Sequence, residues 1–111
     1  KPENAEAASQ MLQTLSGKRH EVITAVCIRN RKREDVFHRT TSVIFRKLSA
    51  EEIAYYIEHY KPFDKAGAYG IQEWIGHVGI TSIEGSYENV VGMPVAALYE
   101  RLMEFQVAGL I

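Results

Sequence analysis

The 111-residue sequence predicts an α/β fold, and three observations carry that reading. Apolar residues recur at spacings of three and four near the start, around residue 55 and near the end, the period of helices with one buried stripe. A Val, Ile and Thr-rich run and an alternating run, joined by a charged segment, have the pattern of a β-hairpin. Glycines at 67, 70, 76, 79, 85 and 92 mark a stretch of tight turns rather than another long element.

The elements follow in order. Ala8, Met11, Leu12 and Leu15 share one helical face, with Asn4 placed to cap the start and Gly17 to stop the helix after Ser16. His20 to Ile28 reads as a strand, and its nearly continuous apolar stretch from Val22 to Ile28 predicts a central position with both faces covered. Arg29 to Asp35 suits a hairpin tip, and Val36 to Lys47 forms the return strand with Phe37, Thr41, Val43 and Phe45 on one face. Ser49 and Glu52 form a capping box for a helix whose stripe is Ile53, Tyr56, Ile57 and Tyr60, ended by Pro62. Gly79 to Glu84 predicts a short strand. Pro94 opens a last helix with Val95, Leu98, Leu102 and Phe105 on its buried side, and an apolar tail follows at 107–111.

Composition narrows the function. Thirteen Lys and Arg against fourteen Asp and Glu give a net charge of -1, so no global field would hold nucleic acid or an anionic membrane. Cys27, the one cysteine, cannot form an intrachain disulfide, and its apolar neighbours predict an inert buried thiol. No apolar run approaches the ~20 residues of a membrane span, and the polar start is unlike a signal peptide, so a cytoplasmic protein is expected. The chain opens on Lys1-Pro2 rather than Met and enters a helix at once, from which further residues before Lys1 are expected in the whole protein.

The stretch Asp64-Lys65-Ala66-Gly67-Ala68-Tyr69-Gly70-Ile71-Gln72 concentrates the chemistry. Lys65 offers a point charge to a phosphate oxygen, and Asp64 could hold a divalent ion, orient a water or cap a helix. Gln72 carries a donor and an acceptor on one planar group, matching the edge of a pyrimidine base. The same stretch also reads as an ordinary Pro-x-Asp turn followed by a cap. Elsewhere, Arg29, Arg31, Lys32 and Arg33 read as a solvated hairpin tip, because Glu34 and Asp35 follow directly. His20, His38, His59 and His77 show no metal-ligand spacing. Trp74, Tyr55, Tyr56 and Tyr60 read as core, and Asn89 as a turn-fixing residue or a ligand contact.

That stretch, the opening Lys1-Pro2, the segment Leu15-Ser16-Gly17-Lys18-Arg19-His20 and the run Ile83-Glu84-Gly85-Ser86-Tyr87-Glu88-Asn89-Val90-Val91-Gly92-Met93-Pro94 together resemble the Maf family. Its members are nucleoside triphosphate pyrophosphatases, once named for septum formation and regarded as house-cleaning enzymes. The resemblance covers Lys1 to about Phe105. It implies a mixed twisted sheet with flanking helices, related to the inosine triphosphate pyrophosphatases, and a nucleotide cleft between two lobes. It also implies metal-assisted hydrolysis of a nucleoside triphosphate to the monophosphate and pyrophosphate, with Mg or Mn as the divalent cation.

By match to the motifs, Lys1 would contact phosphate, Lys65 would add positive charge, Asp64 would assist the metal or hold Lys65, and Gln72 would help choose the base. The form of the motif resembles the branch acting on dTTP and UTP. The family's Ser-x-x-Arg phosphate loop and its proton-accepting aspartate lie upstream of the Lys-Pro element. Residues 1–111 are therefore expected to be the C-terminal portion of a single Maf-like domain, inactive alone, and the general base is not among them. Rival expectations are a purine-directed pyrophosphatase of the same fold and a non-catalytic nucleotide-binding regulator of cell division. The apolar tail and open sheet edges leave room for a homodimer.

Overall fold

A computed structural model describes residues 1–109. Leu110 and Ile111, the end of the apolar tail, lie outside the described residues. Helix α1 spans Ala5–Leu15, and the Asn4 side chain accepts a hydrogen bond from the Ala7 amide at 2.8 Å, as its capping position requires. Ala8 and Leu12 are fully buried, so the predicted stripe faces a core. Gly17 ends the helix with a left-handed φ of 69°.

Strands β1 (Arg19–Arg29), β2 (Glu34–Phe45) and β3 (Ile80–Glu84) form one antiparallel sheet in the order β1-β2-β3. The register is fixed by the Phe45 amide donating to the Lys18 carbonyl and the Arg46 amide donating to the Gly79 carbonyl. At the hairpin tip the Asn30 side chain accepts from the amides of both Lys32 and Arg33, each at 2.8 Å. The described strands are antiparallel throughout, in place of the expected mixed sheet.

Two expectations for this sheet are corrected. The central strand is β2, and β1 lies at the edge with 62 % of Ile23 exposed. A nearly continuous apolar run does not require two covered faces: along β1 Val22, Thr24, Val26 and Ile28 turn inward, while Ile23, Ala25 and Cys27 alternate outward. Cys27 is for the same reason exposed rather than buried. Its thiol donates to the Glu34 carboxylate at 3.4 Å, and that hydrogen bond is the largest of the effects that raise its pKa.

Helix α2 (Ala50–Tyr60) begins with the reciprocal capping box of Ser49 and Glu52. Its C-cap Lys61 takes a left-handed φ of 47° before the buried Pro62, whose ring disfavours continued helix. Ile53, Tyr56 and Ile57 are buried, but Tyr60 and Tyr55 are exposed at 36 % and 45 %, so these two lie outside the expected core. After a short turn at Ala66–Ala68 come α3 (Trp74–Gly79), α4 (Tyr87–Val91) and α5 (Val95–Val107). On α5, Phe105 is fully buried, but Val95 is 51 % exposed and does not belong to the buried side.

The chain divides into two compact units, one formed by Lys1–His20 with Ser42–Ile83, the other by Glu21–Thr41 with the chain from Glu84 onward. In the first, α1 packs on α2 and on the 66–68 turn, over a core that includes Leu12, Val43, Phe45, Tyr56 and Ile75. In the second, fully buried Asn89 is a lock. Its side-chain NH2 donates to the carbonyls of Val22 and Arg39 and to the Thr41 hydroxyl, and its backbone carbonyl accepts from the Thr24 hydroxyl. These bonds tie α4 to β1 and β2. Arg33 stacks over Phe105 at 5.0 Å, and Arg101 grips Asp35 through two hydrogen bonds of 2.8 and 2.9 Å.

Candidate functional site

The segment 64–72 lies in the first unit, directly after α2. Gly67 and Ala68 take φ of 73° and 67° in succession. Glycine enters this region freely, but a left-handed Ala costs roughly 1 kcal/mol or more. The strain at Ala68 is held in place because its methyl is fully buried and its amide donates to the Lys65 carbonyl at 3.1 Å.

Two tyrosines then tie the segment to the core. The Tyr56 hydroxyl, projecting from α2, accepts from the Gly70 amide at 3.0 Å and donates to the Glu73 carboxylate at 2.6 Å. Burial and the Glu73 carboxylate push the Tyr56 pKa far above its ordinary value, so it stays a neutral donor. Tyr69 is buried, its ring edge-on to Phe45 at 5.1 Å and to His20 at 5.5 Å, and its hydroxyl lies 2.7 Å from His20 Nε2. Burial pushes the Tyr69 pKa up to about 12.

Around this frame the four sequence-predicted residues take distinct places. Asp64 and Lys65 approach at 3.7 Å, but the carboxylate is 78 % exposed, so the pair is a loose surface contact worth little by itself. The Lys65 stem is better held. A Cβ built on Gly70 would lie 2.9 Å from Lys65 Cε and 2.7 Å from Glu73 Oε1, so the glycine lets the lysine and the carboxylate flank one point of backbone. Gln72 is exposed two residues further on, and Lys1 is exposed beside buried Pro2.

Asp64, Lys65 and Gln72 share one segment because they are near neighbours in sequence, and among the described residues no hydrogen bond or ion pair links Lys1 to them. A groove of about 500 Å³ between α1 (Ala5, Glu6, Ser9) and α2 (Ala54, Ile57, Glu58) includes none of the four. Glu73 is the residue that sequence reasoning missed. Its signal was its place directly after Gln72 and 17 residues after Tyr56, and only the fold joins it to that tyrosine.

Among the described residues no group of three or more His, Cys, Asp or Glu could hold a metal ion. A magnesium ion commonly needs only one or two carboxylates when the rest of its shell is phosphate and water. Asp64 has that freedom, whereas one Glu73 oxygen is already engaged by Tyr56.

Residues 1–105 match the family model described as Maf-like protein. The chain is 55 % identical over 102 residues to a dTTP/UTP pyrophosphatase of Flavobacterium johnsoniae, covering 92 % of this chain and 53 % of that protein. It is 52 % identical over 105 residues to a dTTP/UTP pyrophosphatase of Porphyromonas gingivalis, covering 95 % and 53 %, and 56 % identical over 102 residues to one of Phocaeicola vulgatus, covering 92 % and 53 %. The chain spans about half the length of these curated relatives.

Proposed function

The chain belongs to the Maf family, and from that premise we propose that the whole protein is a nucleoside triphosphate pyrophosphatase that cleaves dTTP and UTP to the monophosphate and pyrophosphate. The observation that supports this most is the segment 64–72, in which a lysine, an exposed carboxylate and an exposed carboxamide are presented from a backbone anchored by Tyr56 and Tyr69. The names of relatives above 50 % identity agree with it. The 111 residues would form the C-terminal portion of that enzyme's domain.

In this reading Lys1 and Lys65 offset charge on the phosphoryl oxygens as water attacks the α-phosphorus and pyrophosphate leaves. Gln72 reads the base, its amide matching the alternating donor and acceptor of uracil and thymine. Asp64 is the segment's available ligand for a divalent cation arriving with the triphosphate, and the cation supplies further neutralisation of the leaving group.

The test is a panel of nucleoside triphosphates with the whole protein, read as pyrophosphate release. dTTP and UTP are expected to turn over well ahead of 7-methyl-GTP, and Gln72→Glu is expected to lower kcat/KM for UTP by about tenfold or more, since an acceptor-only carboxylate loses one base contact. Equal turnover of UTP and 7-methyl-GTP by the wild type would overturn the base assignment. Nucleotide binding without pyrophosphate release would favour a regulatory protein.

A further inference from the structure

The contact between His20 and Tyr69 joins the start of β1 to the middle of the candidate site across 49 residues of sequence. His20 stacks on Phe45 with ring centroids 5.6 Å apart and planes 17° off parallel, and Tyr69 closes the cluster edge-on to both rings. His20 Nδ1 is buried without a hydrogen-bond partner, so Nε2 carries the ring's polar contact. A buried polar atom left open costs stability, and a phenylalanine would fill the same stacked position without that cost. Histidine here adds one thing that packing does not, a hydrogen bond to the Tyr69 hydroxyl.

Tyr69 is four residues after Lys65 and three before Gln72, and it directly follows the strained Gly67-Ala68 turn. A bond that pins its ring also limits where Lys65 and Gln72 can go. We propose that His20 is a positioning residue for base selection, a latch that acts through Tyr69 to hold the segment 64–72 in the conformation that presents Gln72. Burial lowers the His20 pKa, so the imidazole is neutral near pH 7 and no charge opposes its burial. The proposal rests on the nucleotide reading above.

The test uses the whole protein with His20→Phe, Tyr69→Phe and the double variant. Each single change removes the hydrogen bond and keeps a ring in the cluster. The ratio of kcat/KM for dTTP over dCTP is expected to fall about fivefold in each, the size of one net hydrogen bond, and no further in the double variant. A merely structural role would lower the rate for both nucleotides by the same factor. An unchanged ratio, or losses that multiply in the double variant, would overturn the latch.

Amide hydrogen exchange on the same proteins separates the two claims. Faster exchange confined to residues 64–72 in a protein that releases no pyrophosphate would uphold the hold of His20 on that segment while overturning the pyrophosphatase reading and, with it, the role in base selection. Unchanged exchange there in both single variants would sink the latch whatever the activity.

Discussion

At the scale of single residues, glycine does the work that side chains cannot. Gly76 is the tightest case, because a Cβ there would stand 1.8 Å from the Ile71 carbonyl oxygen, which is backbone and cannot swing aside. Gly76→Ala is expected to cost about 3 kcal/mol or more, read as a lowered denaturation midpoint. Gly70 differs, since its neighbours are the movable ends of Lys65 and Glu73. These constraints were invisible in the sequence, where six glycines in thirty residues signalled close approach without saying to what. Asp64, Lys65 and Gln72 stood out as chemistry-bearing residues, whereas Glu73 and His20 did not, because their meaning comes from Tyr56 and Tyr69, 17 and 49 residues away.

At the scale of elements, α2 shows local physics and tertiary packing acting together. Its capping box was legible in Ser49 and Glu52, but Glu52 also receives two hydrogen bonds from Arg46 of the preceding strand's end, at 3.0 and 2.5 Å. Arg46 first, and then the Ser49 amide, pull the Glu52 pKa down to about 2 from an ordinary value of 4.5. A carboxylate with a depressed folded-state pKa contributes stability that is fully present above its unfolded value and is lost as pH falls through the folded one. Stability is therefore expected to decline as pH falls from about 4.5 toward 2, and Glu52→Gln to flatten that part of a denaturation-against-pH curve. Both side chains are about one-third exposed, so screening keeps the effect modest and added salt is expected to shrink it.

At the scale of the whole molecule, the longer of the two edges of the described sheet is β1. β1 runs eleven residues and has no described strand beyond it, and Ile23 on it is 62 % exposed. An unpaired apolar edge invites association, so Ile23→Lys is expected to raise the monomer fraction of the 111-residue chain, measured by sedimentation. No helix among the described residues is long and apolar enough to cross a membrane. Much of the architecture was written locally: the capped helices, the hairpin and the short strand at 80–84 follow from caps, period and turn residues, which need no distant partner. The order of strands, the outward turn of Cys27, and the anchoring of the 64–72 segment by Tyr56, Tyr69 and His20 were decided by tertiary structure alone. A propensity is a property of neighbouring residues, whereas which face is covered and which hydroxyl meets which carboxylate depend on chain returning from far away.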